Sequence, residues 1–141
     1  MDEDRMKHTL AVARKMVEIG KKYNLSSKEQ QELFILGFLH DIGYEFLDEK
    51  KEHNVIGGEM LKSSEYKCWQ EVYYHGMPDP KFDSLFLKIL NMADMQIDKY
   101  GNDVGYTKRL EDIKSRYGED SVPYQNSLRL TKRLTDEKNI S

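Results

Sequence analysis

Hydrophobic positions recur with helical rather than alternating spacing along most of the chain. Over residues 6–23, Met6, Leu10, Ala13 and Val17 return at intervals of three and four, and Val12, Met16 and Ile19 widen the stripe. This pattern predicts an amphipathic helix. At about 100° per residue, His8 falls on the border of the stripe beside Val12 and Ile19, so its ring can turn inward from the first helical turn. Asn24-Leu25 breaks the pattern, and Ser26 with Glu29 three residues later forms a capping box that opens a second helix. That helix runs through Leu33-Phe34-Ile35-Leu36-Gly37-Phe38-Leu39, apolar on every side, which places it at the centre of the domain. It ends at His40-Asp41, with Gly43 as the expected C-terminal stop.

Residues 51–64 predict a shorter helix with His53, Gly57, Met60 and Leu61 on one side. Residues 65–75 predict another, with Cys68, Val72 and His75 in line. Residues 76–80, with Pro78 and Pro80, read as a loop. Residues 84–99 form a long apolar helix in which Leu87, Leu90, Asp94 and Ile97 share a face. Past Tyr100 the glycines at 101, 105 and 118 and Pro123 weaken the pattern, leaving helices near 107–117 and 125–136. No segment keeps a period of two. The expected fold is all-α, with a metal-binding helical core over residues 1–100 and a C-terminal helical extension, 101–141, packed on the same domain.

Composition narrows the function classes. Hydrophobic residues make up 38% and charged residues 33% of 141, enough for one core beneath a charged surface. The net charge of −3 argues against a general nucleic-acid binder, which carries a basic surplus, so no specific nucleic-acid partner is expected. No stretch approaches the ~20 apolar residues of a membrane span, and the acidic start, Asp2-Glu3-Asp4, is unlike a basic secretory leader. A cytoplasmic protein without a membrane partner is the expectation. The single cysteine, Cys68, excludes an internal disulfide and a thiolate cage, so any metal is held by nitrogen and oxygen. Cys68 itself reads as a small buried hydrophobe.

The decisive feature is the core helix ending in His40-Asp41, which sets a neutral nitrogen ligand and an anionic oxygen ligand side by side where the chain leaves the interior. Burying a carboxylate there is costly without an accompanying cation. The same reasoning applies independently to Asp94, an acid on the apolar face of a core helix. The four histidines of the chain, His8, His40, His53 and His75, each lie at or near an expected helix end, and ends that converge would gather all four in one pocket.

The order His8, His40-Asp41, Asp94 resembles the signature of the HD-domain phosphohydrolase superfamily, and His40-Asp41-Ile42-Gly43 is similar to its best-known tetrapeptide. The resemblance covers about residues 5 to 100. It implies a compact helical bundle with a central metal site, a first metal held by His8, His40, Asp41 and Asp94, and a second shared through Asp41 with His53 and His75. It also implies catalytic roles for Asp41, His53 and His75. The segments His53-Asn54-Val55-Ile56-Gly57, Tyr74-His75-Gly76 and Met92-Ala93-Asp94 are similar to the small bacterial type that cleaves diadenosine tetraphosphate; small nucleoside triphosphate pyrophosphatases are equally near neighbours.

Many relatives follow the tetrapeptide with lysine, whereas this chain has Tyr44. Lys50, Lys51, Lys99, Lys108 and Arg109 are therefore the candidate cations for a substrate's phosphates. An all-nitrogen-and-oxygen site suits one or two ions of manganese, iron, cobalt or magnesium. The expected activity is hydrolysis of a phosphate ester or anhydride of a nucleotide or other small phosphorylated molecule. The rival readings are a non-catalytic metal- or nucleotide-binding signalling domain and a di-iron oxygenase on the same fold. A homodimer is left open.

Overall fold

The computed structural model describes residues 2–45 and 52–140. Among the described residues the chain forms seven α-helices and no strand: α1 (Glu3–Lys22), α2 (Ser27–Leu39), α3 (His53–Ser63), α4 (Trp69–Tyr74), α5 (Leu85–Asp94), α6 (Gly105–Tyr117) and α7 (Val122–Ile140). A 3-10 turn, Ile42–Glu45, follows α2. The architecture is an all-α bundle, as its apolar periodicity predicts. No helix is long and apolar enough to cross a membrane among the described residues.

Local chemistry sets the first two helices. Asp2 caps α1 by accepting from the Arg5 amide at 2.7 Å, and Glu3 and Asp4 lie in its first turn while Lys21 and Lys22 lie in its last, the arrangement that favours the helix dipole. The capping box of α2 is present in both directions, Ser26 N donating to Glu29 Oε1 and Glu29 N to Ser26 Oγ, each at 3.1 Å. Val12 and Met16 of α1, Leu33 and Leu36 of α2, Val72 of α4, and Ile89 and Leu90 of α5 are fully buried in one cluster. Ile113 of α6 and Leu130 and Leu134 of α7 belong to the same cluster. At Gly37 a Cβ would sit 2.6 Å from the Ala13 Cα, so a glycine lets α2 close directly on the backbone of α1, the helix that carries His8.

Several boundaries differ from the periodicity reading. The helix expected over 65–75 is only α4, because Glu65 adopts a positive φ of 61° and turns the chain before Trp69. The helix expected over 84–99 stops at Asp94. Asp98 ends it by accepting from the amides of Tyr100 and Asn102, both at 2.9 Å, a side-chain turn that competes with helix. Ile97 leaves the helical face and pairs as an isolated bridge with Asp103. The last two helices are longer than expected, beginning at Gly105 and Val122.

Gly43 is not a helix stop. The chain continues through the 3-10 turn, and a Cβ at Gly43 would lie 1.8 Å from the His53 carbonyl oxygen. Glycine is required because the 3-10 turn and the start of α3 meet backbone to backbone, which brings the two ends of the His40-to-His53 segment together.

Candidate metal centre

Each candidate ligand stands at a helix end or in a first turn. His8 lies early in α1, His40 caps α2 with Asp41 next in the chain, His53 opens α3, His75 caps α4, and Asp94 closes α5. Five elements therefore converge on one point. The early stop of α5 serves this convergence directly, since the Asp98 carbonyl in the following turn accepts from His8 Nδ1 at 2.8 Å.

Three histidine rings are fixed in the same way. His40 Nδ1 donates to the Gly37 carbonyl and His75 Nδ1 to the Val72 carbonyl, each at 2.6 Å, and His8 Nδ1 to Asp98 as above. A carbonyl can only accept, so Nδ1 carries the proton. In each neutral ring the Nε2 lone pair then faces the centre, the tautomer a metal ligand needs.

The Nε2 atoms surround two carboxylates in two sets. Asp41 Oδ2 lies 3.5 Å from His8 Nε2 and 3.2 Å from His40 Nε2. Asp94 Oδ1 completes this set, 3.0 Å from His8 Nε2 and 3.4 Å from His40 Nε2. The other oxygen, Asp41 Oδ1, lies 3.3 Å from His53 Nε2 and 3.4 Å from His75 Nε2. His40 Nε2 is buried with no hydrogen-bond partner despite these neighbours. An orphaned nitrogen beside two carboxylate oxygens fits a divalent cation. Ligand atoms of His8, His40 and Asp41, of His40, His75 and Asp94, and of Asp41, His53 and His75 each fall within 4.8 Å of one another, so each trio could hold an ion.

The electrostatics agree. Burial by itself would raise the Asp41 and Asp94 carboxyls, but the neighbouring histidines, His40 foremost, hold both well below the usual carboxylate range. Burial would likewise lower His40, yet Asp41 and Asp94 hold it well above its ordinary value. Two adjacent ionised carboxylates in a buried pocket call for positive charge between them.

Further residues hold the ligands in place. Asn54 Nδ2 donates to the Tyr73 carbonyl at 2.7 Å, tying the start of α3 to α4. Asn91 Oδ1 on α5 accepts from Gly76 N at 2.9 Å, fixing the backbone just after His75. Both asparagines are buried. An amide within an apolar helical face was the available signal for Asn91, and adjacency to His53 the one for Asn54.

Residues 5–121 match the family model of the HD domain. The chain belongs to the HD domain family. No curated protein and no solved structure matches it. HD domains form a superfamily of metal-dependent phosphohydrolases that bind divalent metals, and the histidine and aspartate trios of this HD domain could hold such an ion.

The centre opens into a cavity of ≈ 940 Å³, whose lining includes His8, Asp41, His53, His75 and Asp94. Of the candidate phosphate-binding cations, Lys99 and Arg109 line it. Arg109 Nε donates to the Asp94 carbonyl at 3.4 Å, and its buried Nη1 has no hydrogen-bond partner. Lys108 is exposed and does not line the cavity, being about 100° around α6 from Arg109. Lys50 and Lys51 lie outside the described residues. Sequence reasoning missed Arg5 and Arg116, which also line the cavity. Tyr44, directly after the His40-Asp41-Ile42-Gly43 tetrapeptide, stacks on His53 with centroids 4.0 Å apart. Its phenol is pushed up to about 12 by burial and by Asp41, against the lowering charge of Arg5. Cys68 is buried and its thiol is raised by that burial and by Glu71, which leaves it without nucleophilic character.

Proposed function

We propose that this HD domain hydrolyses a phosphate ester or anhydride of a nucleotide or another small phosphorylated molecule, using one or two divalent ions. The observation that carries this reading is the division of Asp41, one oxygen facing His8 and His40 and the other facing His53 and His75. His8, His40, Asp41 and Asp94 would hold a first ion, and Asp41, His53 and His75 a second. When bound, such ions acidify water and polarise a phosphoryl oxygen, and a pair can clamp the attacking and leaving oxygens. The donors are nitrogen and oxygen throughout, the set that suits manganese, iron, cobalt or magnesium.

The chain's own residues supply the rest. The Nδ1 bonds to backbone keep the rings aimed, so the site is organised before substrate arrives. Arg109 and Lys99, which line the cavity, offer positive charge to substrate phosphates, although Arg109 Nη1 also lies 3.8 Å from Asp112. Ile113, Tyr117, Val122 and Pro123 also line the cavity, as do Asn126 and Ser127. Tyr117 and Val122 are 56% and 68% exposed. A lining that combines apolar and aromatic side chains with hydrogen-bonding groups suits a flat heterocycle, and the volume lies within the ~300–1,000 Å³ of small-molecule sites. These features favour a nucleotide.

The test is a screen of purified protein, loaded with manganese, iron, cobalt or magnesium, against mononucleotides, nucleoside triphosphates and dinucleoside polyphosphates, with products separated and counted. Metal-dependent release of phosphate or a shorter nucleotide is expected. Tight metal binding with no cleavage of any phosphorylated compound would replace this reading with a non-catalytic or oxygenase one.

A further inference from the structure

Tyr44, directly after the His40-Asp41-Ile42-Gly43 tetrapeptide, brings an aromatic ring and no charge to the edge of the metal centre. The structure places a cation over that ring. The Arg5 guanidinium lies 3.4 Å above the centre of the Tyr44 ring, and the opposite face of that ring is occupied by His53 at 4.0 Å. Arg5, Tyr44 and His53 thus form a three-layer stack beside the metal centre. Arg5 Nη1 is 3.6 Å from Asp41 Oδ2, the oxygen that also faces His8 and His40. That separation is beyond hydrogen-bonding distance, so the carboxylate attracts the guanidinium without consuming the donors on that edge.

Among the described residues, Arg5 is the one lysine or arginine with a side-chain nitrogen within 4 Å of the Asp41 or Asp94 carboxylate oxygens. It lines the cavity and remains 29% exposed, while Asp41 is almost fully covered. Its backbone is fixed by the Asp2 cap in the first turn of α1, and stacking on an aromatic face fixes the plane of its fork. Asp2, Glu3 and Asp4 also line the cavity, so at the start of α1 Arg5 is the cavity-lining group that can attract an anion.

We infer that Arg5, held flat on Tyr44, is the cation that binds the phosphoryl group next to the metal centre, presenting its planar donors to that group's non-bridging oxygens. The inference rests on the phosphohydrolase reading. Tyr44 is then a platform that orients the charge Arg5 brings from α1. A guanidinium offers a paired fork where an ammonium offers a point charge, which favours phosphoryl groups with two free oxygens over a crowded diester.

The experiment titrates inorganic phosphate and pyrophosphate into the metal-loaded full chain by calorimetry, with metal content and melting temperature measured on the same samples. Wild type is compared with Arg5→Gln, Arg5→Lys and the double variant Arg5→Gln with Tyr44→Lys. Glutamine keeps helix propensity while removing the charge and the guanidinium fork. Arg5→Gln should weaken phosphate binding at least roughly tenfold, the scale of a charge-assisted contact, at unchanged metal content. Arg5→Lys should fall between, and the double variant should regain affinity. Phosphate affinity in Arg5→Gln equal to wild type overturns the inference, as does a loss of metal that accounts for the loss of phosphate, because Arg5 would then act only through Asp41. Wild-type protein that binds metal but neither binds nor cleaves any phosphate compound overturns the phosphohydrolase reading, and this inference with it.

Discussion

Replacing Gly43 by alanine tests whether backbone contact between the 3-10 turn and α3 assembles the centre. The added Cβ would lie 1.8 Å from the His53 carbonyl oxygen, 2.7 Å from its carbon and 3.0 Å from Gly57 N. Ordinary carbon–oxygen contacts begin near ~3.3 Å, so the two backbones must separate by about 1.5 Å. No rotamer change relieves the clash, because the three nearest atoms are all main chain. Overpacking costs about 1–3 kcal/mol when side chains can yield; with main chain on both sides the loss should reach about 3 kcal/mol. For a domain of this size that lowers the melting temperature by roughly 10 °C. The same displacement would carry the His53 ring away from Asp41 Oδ1, now 3.3 Å distant, and weaken metal binding on that side. Gly105→Ala is the control, since no atom lies within 4 Å of a Cβ there and only its φ of +80° is penalised, at about 1–2 kcal/mol. Urea unfolding of both metal-free variants gives the comparison. A Gly43→Ala protein within about 1 kcal/mol of wild type would refute the reasoning.

Two further perturbations separate the centre from the scaffold. Asp41→Ala should retain its helical circular dichroism but bind almost no metal and lose all turnover, because both oxygens of Asp41 serve the ligand sets; metal analysis with a normal metal content would contradict this. Glu71, buried on α4 and accepting from Ser84 Oγ at 3.1 Å, has its carboxyl raised by burial. An acid raised in the fold stabilises the fold only as pH drops through its folded pKa, and opposes folding when ionised above it. Glu71→Gln should therefore raise the melting temperature at pH 7, with the gain vanishing below about pH 4 where the unfolded carboxyl is also protonated; an equal gain at both pH values would exclude ionisation as the cause.

The parts of the molecule most legible in the sequence were those governed by local rules. The stripe of α1 and the Ser26–Glu29 box fixed two helices, and the acids Asp41 and Asp94 stood out because an ionised group on an apolar helix is costly wherever the helix packs. What local rules missed depends on contacts distant in the chain. The apolar run of 84–97 continues past Asp94, and only the Asp98 turn, which also serves His8 some 90 positions earlier, ends the helix there. Gly43 reads as a stop signal locally, while its reason lies in the His53 carbonyl. Arg5 sits among Asp2, Glu3 and Asp4 as one surface charge among several, and nothing near it in sequence announces the Tyr44 ring. The C-terminal helices were faint because Gly105 and Pro123 stand inside their first turns, positions those residues tolerate but which periodicity reads as breaks.

The central claim is that Asp41 is shared between two cation positions. Metal stoichiometry tests it most directly: full-length protein loaded with manganese or iron under non-oxidising conditions, freed of loose metal, and analysed for ions per chain alongside the double variant His53→Ala with His75→Ala. Two equivalents are expected in wild type and one in the variant, which keeps His8, His40, Asp41 and Asp94. A wild-type protein that never exceeds one equivalent, or a variant that keeps both, would contradict it.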